Sequence, residues 1–204
     1  MSPLQRLIDD AARLGVTLTE PEAQRLMKLL DELQHWNRAY NLTAVKEPDR
    51  VTHHLLDSLA VHADLQGATV ADVGTGAGFP GLPLALVNPQ RRFTLIDSNG
   101  KKVRFVSHAA RVLELANVEA VHARVESMTR QFDTVIARAF AALPELLAKV
   151  APLCSSRTRV LAMKGQWPQA ELDALPPHWK VAASRKIQVP ELDEARCVIA
   201  LQSS

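Results

Sequence analysis

Cysteine is scarce in this chain. Cys154 and Cys197 are its two thiols in 204 residues, and their spacing ligates no metal. A disulfide scaffold and a cysteine-bound zinc are thereby excluded, and reduced thiols in a cytosolic setting are expected. An excess of one charge is also missing. Lys and Arg number 24 against 22 Asp and Glu, a net charge of +2. That permits an anionic partner without requiring one. There is no long apolar run, and MSPLQRLIDDAARLG carries charges throughout, so neither a membrane span nor a secretory leader is expected. Repeats, heptads and low-complexity tracts are absent. What remains, 47% hydrophobic and 23% charged, is ordinary for a globular protein. The length suits one domain, with at most a small appendage.

Two regions differ in periodicity. Residues 1–66 read as a helical extension. TEPEAQRLMKLLDELQHWNRAY opens with Thr19 as an N-cap and Glu22 three residues on, a capping box. Leu26, Leu29, Leu30, Leu33, Trp36 and Tyr40 then recur at helical spacing, which predicts a core stripe. NLTAVKEP reads as a loop and DRVTHHLLDSLAVHADL as one further helix, with Val51, Leu55, Leu59 and His62 along one side. Residues 67–204 read as the main domain. Strands are predicted at 69–73, 93–97, 118–123, 132–137, 159–164, 179–184 and 196–201, with helices at 81–87, 100–116, 142–151 and 168–174. Such alternation predicts an α/β fold, a mostly parallel sheet covered on both faces. PELDEA is too short for a crossover helix, so the last two strands should pair antiparallel. Seven strands ending that way suit the class I, Rossmann-like methyltransferase variant of the doubly wound fold better than the dehydrogenase variant.

Glycine is uncommon too, eight in the whole chain, yet DVGTGAGFPGLPLA holds four within eight positions. The loop follows a strand and precedes a helix, where open α/β sheets bind ligands. Glycines there let the chain turn sharply and let a ligand lie against bare backbone. Gly76, Gly78 and Gly81 satisfy the dinucleotide pattern. Asp72, Gly74, Gly76 and Gly78 satisfy the acidic-G-x-G-x-G pattern of S-adenosylmethionine sites. Asp97 closes the second strand and is placed to accept from two ribose hydroxyls. Asp72 favours the sulfonium cofactor, since a carboxylate suits the amino end of a methionine and opposes a pyrophosphate. Bonding the turn's own N–H groups is the other use open to Asp72.

These residues resemble a known family. DVGTGAGFPGLPLA, LIDSNGKKVRF, ARVE, ARAFA and LAMKGQ, in this order and spacing, are similar to the RsmG (GidB) family of bacterial 16S rRNA guanine-N7 methyltransferases. WNRAYNLTA and HLLDSLA resemble it too. The resemblance implies S-adenosylmethionine-dependent methylation of a guanine N7 in 16S rRNA, in the loop near the decoding centre. By matching position it implies cofactor contacts at Gly74, Phe79, the backbone of Val125 and Glu126, and Arg138. His53 and Ala137 depart from the family, which often has a basic residue and a serine there.

The chemistry of the acceptor can be read from what is missing. Cys154, in PLCSS, lacks the supporting motif of a nucleophile that attacks a cytosine. The fourth strand ends in ARAF, where enzymes that methylate adenine N6 commonly carry an Asn/Asp-Pro-Pro-aromatic tetrad. Guanine N7 has a free lone pair and no proton to lose, so it needs no general base. Arg138 could donate to guanine O6 or hold a phosphate; an ion pair at the sheet edge is its other use. Lys164 is a second candidate for RNA contact. Lys101, Lys102 and Arg104 open a helix, where cations oppose the helix dipole and a phosphate would relieve them. His53 and His54 face different ways on a helix, which argues against a metal site. His54 and Asp57, one turn apart, are candidates to bond each other. The expected partner is 16S rRNA or the small subunit, the expected state a metal-free monomer in the cytoplasm. A small-molecule methyltransferase, a nicotinamide dehydrogenase and a non-catalytic RNA-binding module are the alternatives.

Overall fold

The computed structural model describes residues 2–203. α1 (Pro3–Arg13) and α2 (Glu20–Tyr40) precede seven strands: β1 (Thr69–Val73), β2 (Arg92–Asp97), β3 (Val118–His122), β4 (Thr134–Arg138), β5 (Arg159–Lys164), β6 (Trp179–Ile187) and β7 (Arg196–Ser203). They form one sheet in the order β3-β2-β1-β4-β5-β7-β6. The first five pair in parallel, and β7 runs antiparallel to both β5 and β6. A single turn α3 (Asp57–Leu59), then α4 (Gly81–Leu86), α5 (Gly100–Val112), α6 (Leu143–Val150) and α7 (Gln169–Asp173) complete the helices.

Strand side chains alternate between two cores, as a sheet covered on both faces requires. Val70, Phe93, Leu95, Ile136, Leu161, Met163, Val198 and Ala200 share one core with the buried leucines of α1 and α2. Ala71, Val73, Ile96, Val135, Ala137, Val160, Ala162, Ile199 and Leu201 pack on the opposite side with α6.

Local signals place most element starts. Thr19 accepts from Glu22 N–H, and the Glu22 carboxylate accepts from Thr19 N–H at 2.8 Å, closing the capping box. The apolar stripe of α2 is buried through Leu33, and Trp36 packs partly buried against the core. Tyr40 departs from the predicted stripe: it is 39% exposed, with its ring against Trp36.

The segment from Asp49 to Leu65 differs most from expectation. A continuous α-helix is replaced by a wide π turn at Val51–Leu56, the single α turn α3 and a 3₁₀ turn at His62–Asp64. Near residue 134 a smaller difference has a visible cause. β4 starts at Thr134 because the preceding Asp133 carboxylate accepts from Ala68 N–H and from the N–H and hydroxyl of Thr69.

Thr19→Ala removes one half of the capping box and should lower the unfolding free energy by about 1 kcal/mol. Denaturant unfolding at constant m-value measures this. A loss within error of zero would show that the α2 cap contributes nothing to stability.

Candidate active site

Because β1, β2, β4 and β5 run in parallel, their carboxyl ends lie on one edge of the sheet. Connections leave β1 towards β2 on one side, while β4 flanks it on the other, so the switch point of the fold lies between β1 and β4. The glycine loop follows β1, and Arg138 ends β4.

The loop's glycines are needed, but mostly for a reason the sequence did not show. Gly74 has φ +65°, and a Cβ there would meet the Phe140 ring at 2.4 Å. At Gly78 a Cβ would meet Leu82 at 2.3 Å. At these two positions the protein's own side chains fill the space a Cβ would need; Gly78 is buried, whereas Gly74 stays partly exposed. Gly76, with φ +61°, has nothing within 4 Å of its Cβ position and remains open.

Two carboxylates hold the loop in shape. Asp72 is buried, and its Oδ2 accepts from the Thr75 hydroxyl at 2.6 Å and from Gly81 N–H at 2.8 Å. This is the turn-bonding role left open above. Its other oxygen, Oδ1, is buried without a partner. Burial pushes the Asp72 carboxyl up to about 6, against the opposing pull of its two hydrogen bonds and of Arg138. Asp97 Oδ2 accepts from Gly76 N–H at 2.9 Å, and its Oδ1 accepts from Asn99 N–H at 2.8 Å.

Two clefts open on this edge. The first, about 320 Å³, is lined by Gly74, Asp97, Val125, Glu126, Phe140 and Lys149 among others. It brings together four residues singled out from the sequence. Each Asp97 oxygen has accepted one backbone bond and keeps capacity for another, which fits two ribose hydroxyls. The unpartnered Asp72 oxygen leaves negative charge beneath the loop, which fits a cationic methionine moiety. The residues present therefore fit S-adenosylmethionine. Asp72, Gly76, Gly78, Phe79 and Arg138, also expected at the cofactor, do not line this cleft. Phe79 is buried and stacks on His54, with ring centroids 4.4 Å apart.

The second cleft, about 400 Å³, is lined by His53, His54, Asp57, Arg138, Lys164 and Arg196 together with Ala139, Met163 and Cys197. Consecutive residues divide the clefts: Ala139 lines the second and Phe140 the first. Ala139 has φ +50°, a conformation costly for a residue with a Cβ and common at functional sites.

Arg138 does make the ion pair named above as its other use. Its Nη1 donates to Asp57 Oδ2 at 2.9 Å and to the His53 carbonyl at 3.0 Å. Asp57 Oδ1 accepts from Arg196 Nε at 3.1 Å. The predicted contact between His54 and Asp57 does not form. His54 Nε2 instead meets the Thr43 hydroxyl at 3.0 Å. Burial, with the charges of Arg138, Arg50 and His53, lowers His54 to about 3, so its ring is neutral at physiological pH. Lys164 is not a solvated lysine: its ammonium donates to Glu171 and to the Ala141 carbonyl, both at 2.8 Å. Lys101 and Arg104 line neither cleft; with Asn99, Gly100 and His122 they border a separate pocket at the start of α5.

Sequence reasoning missed Arg196, Cys197 and Phe140. The hairpin reading held a signal for the first two. A β7 strand antiparallel to β5 sets Cys197 directly opposite Lys164, so Arg196 arrives at the same edge. Nothing in the sequence marked Phe140 as the ring covering Gly74.

A pH measurement tests the buried carboxylate. The folded Asp72 value, near 6, lies above the ordinary 3.8. The folded state therefore keeps a proton that the unfolded chain has released. Burying the ionised group costs stability in full above about pH 6, and the cost disappears as pH falls towards 4. Asp72→Asn removes the charge. Its unfolding free energy relative to wild type should rise by on the order of 2 kcal/mol from pH 4.5 to pH 8. A pH-independent difference would mean that burial does not raise Asp72.

Comparison with known proteins agrees with the fold and the motifs. A family model described as GidB, rRNA small subunit methyltransferase G, matches residues 22–199. The ribosomal RNA small subunit methyltransferase G of Idiomarina loihiensis is 43% identical over 199 residues, which cover 96% of this chain and 95% of that one. The protein of the same name from Salmonella arizonae is 40% identical over 207 residues, covering 100% and 99%. Among solved structures, magnesium protoporphyrin IX methyltransferase from Synechocystis with bound SAH has a TM-score of 0.60 at 19% identity, covering 84% of this chain and 94% of that one. A SAM dependent methyltransferase from Aquifex aeolicus has a TM-score of 0.57 at 20% identity, covering 76% and 93%. At such identities the structural likeness speaks for the fold, a Rossmann-like methyltransferase sheet. The match over residues 22–199, with relatives 40–43% identical over nearly the whole length, shows that this chain belongs to the rRNA small subunit methyltransferase G family.

Proposed function

We propose that the chain methylates N7 of a guanine in 16S rRNA, in the loop near the decoding centre, with S-adenosylmethionine as methyl donor. Small-subunit rRNA methylation follows from the family. One observation carries the finer assignment: the carboxylate of the second cleft is already paired, and its buried histidine is a weak base. Asp57 holds an arginine on each oxygen, and His54 is lowered to about 3. A cleft without a ready base suits an acceptor that has no proton to lose.

S-adenosylmethionine, when bound, supplies an electrophilic methyl group on sulfur. The chain's residues bind and orient. In this reading Asp97 holds the ribose, and the backbone at Val125 and Glu126 flanks the adenine. Gly74, Gly76 and Gly78 give the loop its path, Asp72 sets negative charge beneath it, and Phe79 with His54 forms a wall. Arg138 donates to an oxygen of the target nucleotide, and Lys164 holds the chain after β4 through Ala141 and Glu171. Positioning the lone pair in line with the methyl group lowers most of the barrier. Residues 1–66 act as an extension of the 67–204 methyltransferase domain, which works as a monomer, without metal, in the cytoplasm with the ribosome.

The dehydrogenase reading loses support from Asp72. Its carboxylate accepts from Gly81 N–H, the start of the helix where a pyrophosphate would sit, and repels such a group. The small-molecule methyltransferase leaves the basic second cleft without a use.

Mapping of reduction-induced strand scission at 7-methylguanine in small-subunit rRNA tests the function. Cells lacking the gene should lose one cleavage, and expression of this chain should restore it. Unchanged cleavage in the deletion strain refutes the assignment. For the cofactor, Asp97→Ala should weaken S-adenosylmethionine binding about 10- to 100-fold, in line with about 1.5–3 kcal/mol for a hydrogen bond to a charged group. Calorimetry on the folded variant reads this, and an unaltered dissociation constant removes Asp97 from the site.

A further inference from the structure

The Asp57 carboxylate joins parts of the chain that are distant in sequence and not adjacent in the sheet. Arg138 ends β4 and Arg196 begins β7, with β5 between them. Two strand spacings, about 10 Å, separate their backbones. Asp57 nevertheless bonds both guanidinium groups, one on each oxygen, with 6% of its side chain exposed. The two arginine side chains stay 22% and 20% exposed and line the cleft.

The π turn explains how Asp57 reaches this position. Its N–H donates to the Thr52 carbonyl five residues back. In an α-helix it would donate to the His53 carbonyl, four back. The His53 carbonyl instead accepts from Arg138 Nη1. One widened turn thus supplies both acceptors that seat Arg138, a carboxylate and a carbonyl. Wide turns of this kind occur frequently at functional sites.

The two arginines are used differently. Arg196 spends Nε on Asp57, Nη1 on the Ala195 carbonyl and Nη2 on Glu194. Arg138 places both of its hydrogen bonds on Nη1. Its Nε and Nη2 carry none among the described residues, and together they form the flat two-donor edge that matches a pair of acceptor oxygens. Arg196 shares the Asp57 charge and is itself paired with Glu194, so the donor edge left uncompensated is that of Arg138.

We infer that Asp57 is a positioning residue for methyl transfer: seated by the π turn and balanced by Arg196, it presents the free edge of Arg138 to acceptor oxygens of the target nucleotide. The inference rests on the reading of the cleft as the rRNA site. A merely structural ion pair is the competing explanation, since buried pairs are weak evidence of stabilisation and are often replaceable.

A double-mutant cycle on single-turnover methyl transfer to small-subunit rRNA separates the two. Asp57→Asn should slow transfer 10- to 100-fold while leaving the S-adenosylmethionine dissociation constant within twofold of wild type. In an Arg138→Ala background the same change should cost less than threefold. An undiminished loss in that background overturns the inference, because Asp57 would then act without Arg138. Should Asp57→Asn fail to fold, Asp57→Glu keeps the charge but displaces the carboxylate by one methylene. It should fold and still transfer at least fivefold more slowly, and a wild-type rate would assign Asp57 a structural role only. A wild-type chain that transfers no methyl to rRNA overturns the reading of the cleft and the inference with it. A wild type that transfers, with additive losses in the cycle, overturns the inference alone.

Discussion

Parallel pairing of β1 with β2 on one side and β4 on the other is the constraint from which the site follows. Register brings Val73 level with Ile96 and with Ala137. The residues that continue each strand therefore emerge together: Gly74 after β1, Asp97 at the end of β2, Arg138 at the end of β4. Backbone bonds reinforce the arrangement, since Thr75 N–H donates to the Ile96 carbonyl at 3.1 Å. With the strands held this way, the glycine loop leaves β1 at the edge of the first cleft, and Phe140, just after β4, packs against Gly74.

Charge is buried where the loop needs shape and exposed where a ligand would arrive. Asp72 lies fully inside, with one oxygen bonded twice and the other unpartnered. An ionised group so placed opposes folding at neutral pH. It persists because Gly81 N–H and the Thr75 hydroxyl need an acceptor there. His54 tells a related story on the other side of Phe79. Burial and the nearby charge of Arg138 keep its ring neutral, so the wall between loop and cleft adds no positive charge to that of the arginines.

The N-terminal helices take part in the same arrangement. Leucines of α1 and α2 share a core with strand residues on one face of the sheet. The loop after α2 is clasped by Asn37, whose side chain bonds both the N–H and the carbonyl of Thr43. Thr43 in turn holds His54. Through these contacts, the segment carrying His53, His54 and Asp57 is set against the sheet edge.

Alternation of short apolar strands with helices determined the sheet, and the glycine loop with Asp97 marked the edge on which the two clefts open. These features are local: side-chain period, turn chemistry and strand ends depend on neighbours within a few residues. Tertiary structure alone decided the rest. Whether the chain at Val51–Leu56 winds as α or π depends on what Asp57 and the His53 carbonyl can bond, and those partners lie some eighty and one hundred and forty residues away, at Arg138 and Arg196. The partner of Arg138, the ring over Gly74 and the stack of Phe79 on His54 are likewise contacts between distant segments. No periodicity encodes them, because they exist only once the sheet has brought its strand ends to one edge.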